Sequence, residues 1–219
     1  DNWGQLGNEG WDFDSLLPYF IKAENNKAFI NNELHGTKGP LHVQELNNPS
    51  NINQYFLNAC AEQGVNLSDD INGKEQSGAR LSQVTQHNGE RCSAAKAYLT
   101  PHLNRPNLTV LTNSHVNKIN ITNKIAQGVQ IERNKEVINL RAKKEVILSA
   151  GAINSPQVLM LSGIGPKAQL SAHNIKVEHV LEGVGANLQD HLTVVPLYKS
   201  KTNKGTFGIS PLGIASIFK

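Results

Sequence analysis

Glu145–Gly165, EVILSAGAINSPQVLMLSGIG, carries the clearest indication of the fold in this chain. Its apolar residues Val146–Leu148 predict a buried strand, and the four residues of Ser149–Ala152 that follow have small side chains. Ser155 and Pro156 then predict the first turn of a helix, because a hydroxyl can cap a helix and proline fits its first position. A strand that runs into a helix through small residues is typical of an open α/β sheet.

This corner between strand and helix is a candidate ligand site. Ser149, Ala150, Gly151 and Ala152 lack bulk, so a flat or phosphorylated ligand can reach van der Waals contact with their backbone. The following helix presents unpaired amide groups and the positive end of its dipole. Small residues at such a corner also serve tight packing alone, so the pattern by itself leaves both interpretations open.

Alternating and β-branched residues before the corner predict three or four strands, partly a meander. Turn residues at 123–124 and 134–135 separate them. The predicted strand segments are 108–121, 126–133, 136–142 and 144–150.

The spacing of apolar residues and of helix breakers predicts the remaining elements. Asp12 or Asp14 can cap a helix within Gly10–Glu24, and Gly163 with Gly165 ends the helix that Ser155 begins. The other predicted elements are a loop and short strand at 36–43, a helix at 52–63 that Gly64 ends, a helix-forming segment at 93–99, a short helix from Pro166, and strands at 177–181 and 192–198.

The composition is that of a globular protein. The chain has 219 residues, of which 38% are hydrophobic, and a formal net charge of +3. Its Lys and Arg residues form no dense basic block, so nucleic acid is not an expected partner. Cys60 and Cys92 stand apart from histidine clusters, which predicts neither a disulfide framework nor a metal site. Reduced thiols and the lack of a signal peptide indicate a cytoplasmic location.

Ten residues within Glu145–Gly165 resemble, in identity and spacing, the second signature of the glucose-methanol-choline (GMC) oxidoreductase family. Those residues are Gly151, Ala152, Ser155, Pro156, Val158, Leu159, Ser162, Gly163, Ile164 and Gly165. The segments GWDFDSLLPYF, GTKGPLHV, SAAKAYL and GVGANLQDH resemble other parts of that family in the same order. The resemblance therefore covers nearly all of the chain up to about Tyr198. Beyond that point, TFGISPLGI is closer to choline dehydrogenase-like and aliphatic alcohol dehydrogenase members than to sugar oxidases.

The resemblance implies a mixed α/β (α+β) fold, with part of an FAD-binding Rossmann-like domain that includes a β meander, plus part of a substrate-binding domain. Residues 1–90 are expected to form a helical and loop region that begins the substrate domain. Residues 91–190 are expected to belong to the FAD-binding domain, and 191–219 to a truncated second substrate segment. It also implies that the Val116 backbone lies against the FAD adenine and that Ser149–Ala152 pass close to the cofactor.

No catalytic residue is assigned from the sequence. The family pattern puts its glycine-rich fingerprint before Asp1 and its catalytic histidine after Lys219, so we expect both ends of this chain to be cuts in a longer protein. None of the eight histidines is a candidate base. His191 stands next to Asp190, but in the family pattern this histidine is structural.

The resemblance implies that the parent protein is an FAD-dependent alcohol dehydrogenase that removes a hydride from a primary alcohol, choline-like or aliphatic, to the flavin N5. A small-molecule alcohol is the expected partner, and the isolated chain is expected to be inactive and to hold FAD weakly or not at all. An FAD-containing lyase of the same fold and a non-enzymatic binding module stay open as alternatives. The apolar stretch Ile209–Phe218 leaves attachment to a membrane surface as a less favoured alternative to a surface bared by truncation.

Overall fold

The computed structural model describes residues 1–195 of the chain. Contacts divide these residues into two compact units, Asp1–Thr109 and the residues from Val110 onward. Both helices and strands form, so the predicted mixed fold class is confirmed, whereas the predicted division after residues 90 and 190 stays a prediction. Within residues 1–195, no helix is both long and apolar enough to cross a membrane.

Two predicted elements fall wholly or partly beyond the described residues. The apolar stretch Ile209–Phe218 lies outside them, as does part of the predicted strand 192–198. Residues 192–195, which the structure does describe, form no strand.

The second helix of the first unit begins where the sequence predicts a cap, and the third ends where the sequence predicts a glycine stop. Asp12 caps the second helix, since its carboxylate accepts a hydrogen bond from the Ser15 backbone N–H at 2.9 Å, and this bond lowers the pKa of Asp12. Gly64, with φ of 76°, follows the end of the third helix. Both long predicted helices are therefore confirmed. The helices are α1 (Asn2–Gln5), α2 (Phe13–Ala23) and α3 (Asn51–Glu62).

Four short strands form two pairs in the first unit. β1 (Glu24–Asn26) and β2 (Leu41–Val43) pair in parallel, while β3 (Gln86–His87) and β4 (Glu90–Arg91) form an antiparallel hairpin. The hairpin turns through Asn88–Gly89, both at positive φ, as a tight two-residue turn requires. The helix-forming segment at 93–99 becomes a π-helical turn at Ala95–Leu99, followed by a 3₁₀ turn at Thr100–His102.

The second unit contains the predicted meander, a three-stranded antiparallel sheet in the order β5-β6-β7. Both connections are two-residue turns, Asn123–Lys124 and Asn134–Lys135, in which every φ is positive. The strands are β5 (His115–Thr122), β6 (Ile125–Arg133) and β7 (Glu136–Arg141).

The prediction of a strand at 144–150 is wrong. Val146–Leu148 form no strand, and the side chain of Ile147 is 77% exposed. Residues 108–114, the first half of another predicted strand, also form no ladder. A strand needs a neighbour for its backbone N–H and C=O groups, and no other strand among residues 1–195 pairs with these segments.

A helix does form here, but it begins five residues earlier than predicted, at Gly151 instead of Pro156, and so includes the last two of the four small residues. It is α4 (Gly151–Leu161), and Pro156 lies inside it. The Ser155 hydroxyl does not cap a helix that starts at its own position; it accepts a hydrogen bond from the Ala150 N–H at 3.1 Å and so closes the preceding turn. Gly163, with φ of 84°, ends the helix as predicted.

The rest of the second unit is short. Pro166 precedes α5 (Lys167–Ala172), as predicted. The strand predicted at 177–181 is reduced to β9 (His179–Val180), which pairs in parallel with β8 (Ile164–Gly165). Leu170 of α5 is only 1% exposed and fills the interior beside these strands.

Candidate functional site

The candidate site is the turn before α4 together with the first two residues of that helix. Ser149, Ala150, Gly151 and Ala152 are all exposed. Gly151 has φ of +85°, and a Cβ added to it would meet no atom within 4 Å. The backbone of this turn therefore borders open space, which is what contact with a flat ligand requires.

Amide groups and apolar side chains surround this open backbone. Ala150, at the N-cap position of α4, makes no side-chain cap, so the first-turn N–H groups of the helix are left to other partners. Ile147 and Ile153 are 77% and 72% exposed. Unpaired N–H groups beside exposed apolar side chains suit a planar ring system that has apolar faces and hydrogen-bonding edges.

Val116, the other predicted contact, lies half-buried near the start of β5, opposite Ile131 of β6. The register shifts between Val116 and Lys118, so Asn117 is an extra residue in the strand. Such a bulge bends the strand and changes the direction of neighbouring groups. Among residues 110–195, no hydrogen bond joins Val116 to Ser149–Ala152.

A buried serine connects β5 to α4. The Ser162 hydroxyl accepts a hydrogen bond from the Ile119 N–H at 2.8 Å and donates one to the Val158 carbonyl at 2.6 Å. Ser162 and Ile119 are 7% and 8% exposed. Because β5 is an edge strand of its sheet, this Ile119 N–H has no strand partner. Ser162 thus fixes the strand that carries Val116 to the helix that follows the candidate turn.

Sequence reasoning placed Ser162 in the family signature but did not identify this hydrogen bond. The bond joins residues 43 positions apart along the chain, and no local pattern indicates such a pairing. A serine near the end of an apolar helix, just before the glycine that terminates it, was the available signal.

Replacing Ser162 with alanine is expected to lower the free energy of unfolding by about 1–3 kcal/mol, because the buried Ile119 N–H would lose its only acceptor. Urea unfolding followed by circular dichroism measures this change. Ser171→Ala is the matched control, since Ser171 is an exposed helical serine. Equal unfolding midpoints for the two variants would contradict the assigned role of the Ser162 hydroxyl.

The carboxylate and the histidine that are neighbours in the sequence, Asp190 and His191, lie in an irregular segment. Asp190 and His191 are both exposed, and the Asp190 carboxylate accepts a hydrogen bond from the His191 backbone N–H at 2.8 Å. This bond is local, between neighbouring residues, and does not involve the imidazole. In the described part of the chain, no three His, Cys, Asp or Glu side chains are grouped so that they could hold a metal ion.

Comparison with known sequences identifies relatives over most of the chain. The family model described as GMC oxidoreductase matches residues 1–193. The chain is 44% identical over 194 residues to an oxygen-dependent choline dehydrogenase of Brucella anthropi, covering 89% of this chain and 35% of the relative. It is 38% identical over 221 residues to an alcohol dehydrogenase (acceptor) of Pseudomonas putida, covering 99% of this chain and 40% of the relative.

Solved structures show the same fold. A pyridoxine 4-oxidase from Mesorbium loti superposes with a TM-score of 0.73 at 30% identity, over 80% of this chain and 35% of that protein. An FAD-dependent oxidoreductase from Chaetomium thermophilum superposes with a TM-score of 0.73 at 30% identity, over 84% of this chain and 34% of that protein. This chain therefore spans 35–40% of the length of these two sequence relatives and 34–35% of the length of these two solved proteins.

Proposed function

Since this chain belongs to the GMC oxidoreductase family, we propose that it is part of an FAD-dependent enzyme that oxidises a small primary alcohol, choline-like or aliphatic. The names of the relatives, a choline dehydrogenase and an alcohol dehydrogenase, support this substrate class. The chain spans only about 35% of such a relative, so the activity is proposed for the whole protein that contains these residues.

We propose that the chain contributes one edge of the FAD site. The observation that carries this proposal is the open backbone at Gly151, where added side-chain atoms would meet nothing within 4 Å. The surrounding donor set, first-turn amides of α4 beside Ile147 and Ile153, fits a flavin nucleotide, which is planar, largely apolar on its faces and polar at its edges. When bound, the flavin supplies the hydride acceptor.

The role of the chain's own residues is to bind and orient. The backbone of Ser149–Ala152 would lie along the cofactor, and the Val116 backbone would contact its adenine. Ser162 would hold these two segments in fixed relation, through its hydrogen bond to Ile119. Exposed Ile147 and Ile153 would exclude water from the cofactor's apolar faces. No proton transfer is assigned to a histidine of this chain.

Filling the open space at the turn tests the proposal. In the protein that contains residues 1–219, Ala150→Leu is expected to weaken FAD binding about tenfold or more, because the added side chain occupies the volume reserved for the cofactor. Bound flavin per protein, measured by absorbance after equilibrium dialysis at several FAD concentrations, gives the change. Gln157→Leu, on an exposed position of α4, adds a leucine elsewhere and should leave the affinity unchanged.

Unchanged affinity in Ala150→Leu would remove the turn from the FAD site. The isolated 219-residue chain is expected to show no stoichiometric flavin band at micromolar concentration. Alcohol-dependent dye reduction by the whole protein separates an alcohol dehydrogenase from a lyase that keeps FAD as a structural group, since the lyase would show none.

A further inference from the structure

The two ends of the meander sheet differ in charge. At the end with the turn Asn134–Lys135, two carboxylates and two cations balance each other; they are Glu132, Arg133, Lys135 and Glu136. The opposite end, with the turn Asn123–Lys124, carries four cations, which together we call the basic end: Lys124, Arg141, Lys143 and Lys144. The sheet therefore has one balanced end and one basic end.

The strand register brings the basic end together from two segments of the chain. Arg141 of β7 pairs with Gly128 of β6, and the Ala142 N–H donates to the Gln127 carbonyl at 2.8 Å, beyond the end of the ladder. Lys124 lies in the turn that leads into β6, and the other two lysines directly follow Ala142. Neighbouring strands lie about 5 Å apart and consecutive Cα atoms about 3.8 Å apart, so the four Cα atoms lie within roughly 15 Å of one another. Because two separate segments form it, this patch does not stand out as a dense basic block in the sequence.

The cations of the basic end are unpaired in the described part of the chain. Their side chains are all exposed. None of them takes part in the ion pairs found among residues 1–195. One carboxylate, Glu145, follows Lys144 and is also exposed, so the basic end keeps an excess of three positive charges. An anionic surface is the partner that this excess attracts.

The side chains around these cations favour lipid over nucleic acid. Ile125 directly follows Lys124, begins β6 and is 61% exposed. Residues 117–145 contain no aromatic side chain that could stack on a base. A bilayer interface accommodates cations and an apolar residue together, since the apolar side chain enters the acyl boundary while the lysine stems extend towards the headgroups.

Lysine predominates over arginine at the basic end. Three of its four cations are lysines, and a lysine ammonium acts as a flexible point charge, whereas arginine forms a rigid fork that fits one carboxylate or phosphate bidentately. Flexible point charges suit a fluid array of phosphate headgroups, in which no single geometry is fixed. A fixed acidic site on a protein partner would instead favour arginine.

We propose that the basic end is a docking surface for an anionic lipid bilayer, with its cations against the phosphate headgroups and Ile125 in the interface. Each lysine or arginine close to such a surface tightens binding about fivefold. The resulting attachment is reversible and sensitive to salt. It does not depend on the proposed cofactor site, because none of the residues expected to contact FAD takes part. It also does not involve Ile209–Phe218, which lies outside the described residues.

Vesicle binding of the intact protein tests the docking. Co-sedimentation compares vesicles of phosphatidylcholine alone with vesicles that also contain phosphatidylglycerol. We expect binding to the anionic vesicles only, and we expect it to weaken as added salt shortens the screening length from about 10 Å at 0.1 M to about 3 Å at 1 M. The double variant Lys124→Gln/Lys143→Gln removes two cations of the basic end and should lower the affinity about thirtyfold.

Lys135→Gln/Lys167→Gln is the matched control, because it removes the same amount of charge elsewhere in the second unit. Lys135 occupies the same position in the second turn as Lys124 does in the first, with φ of 66° and 64°, and Lys167 is exposed on α5. This control should bind anionic vesicles like the wild type. Circular dichroism and bound flavin per protein should be unchanged in both double variants, which separates a loss of docking from unfolding and from a failure of the proposed cofactor site.

Ile125→Ser tests the apolar contact and should weaken binding to the anionic vesicles about fivefold or more, as expected when an apolar side chain no longer enters the interface. Equal affinity of the two double variants, or wild-type affinity in Ile125→Ser, would overturn the proposal. An intact protein that does not bind anionic vesicles at about 0.1 M salt would overturn it as well. Binding to a DNA duplex that is at least as tight as binding to vesicles of equal phosphate concentration would assign the basic end to nucleic acid instead.

Discussion

Replacing Gly36 with alanine is expected to prevent the first unit from folding. A Cβ at this position would lie 1.8 Å from the Ile21 carbonyl oxygen and 2.7 Å from that of Glu24. Both are backbone atoms at the junction of α2 and β1, so no side chain can rotate away. The backbone would have to move, and the Gly36 N–H would then lose the Glu24 carboxylate. We expect a loss of more than about 4 kcal/mol of unfolding free energy.

Gly183→Ala is the matched control for this experiment, because an added Cβ there meets no atom within 4 Å and the glycine has no positive φ. Far-UV circular dichroism and urea unfolding compare the two variants. We expect the control to unfold like the wild type. A Gly36→Ala protein with a native spectrum and a similar urea midpoint would mean that the α2–β1 junction tolerates this displacement.

The second large effect is expected in the other unit, at Leu170. This side chain is 1% exposed and is the largest apolar side chain that is fully buried among residues 1–195. Its truncation to alanine removes buried methyl groups and leaves a cavity, which costs about 2–5 kcal/mol. The urea midpoint of Leu170→Ala measures this loss.

Leu188→Ala provides the comparison, since Leu188 is 69% exposed and its truncation should change the urea midpoint little. A Leu170→Ala variant as stable as Leu188→Ala would show that the interior around α5 collapses onto the vacated volume without a penalty.

Elements with local signals were predictable from the sequence. Asp12 and Gly64 mark helix ends through their own side chain or backbone, and the structure uses both as predicted. The turns at Asn123–Lys124 and Asn134–Lys135 were placed correctly for the same reason. Each of these signals acts over a few residues and needs no distant partner.

Elements that depend on distant partners were not predictable in the same way. The apolar run Val146–Leu148 has the composition of a buried strand, yet whether it joins a sheet depends on a neighbour that its own sequence cannot specify. The contact of His35 Nε2 with Asp70 Oδ2, at 2.9 Å, likewise joins residues 35 positions apart, and no local pattern indicates it. The other Asp70 oxygen accepts a hydrogen bond from the Asn72 backbone N–H, which is a local contact.

The candidate site was predicted mainly from the family resemblance. Composition and spacing left Ser149–Ala152 open to either packing or ligand contact. The exposed Gly151 turn is compatible with ligand contact, because nothing packs on it. The contacts of Val116 and Ser149–Ala152 with a cofactor stay predictions until flavin binding is measured.

Among residues 1–195, asparagine occupies most of the non-glycine positions with positive φ, including Asn88, Asn123 and Asn134. An asparagine side chain narrows the range of backbone conformations in the denatured ensemble, whereas glycine leaves it wide. The loss of backbone conformational entropy on forming each of these turns is therefore smaller than it would be with glycine at the same position. In return, positive φ strains the folded turn locally, and asparagine tolerates this strain better than most residues do. Asparagine at these positions thus lets the chain form tight turns at a lower entropy cost than glycine would require.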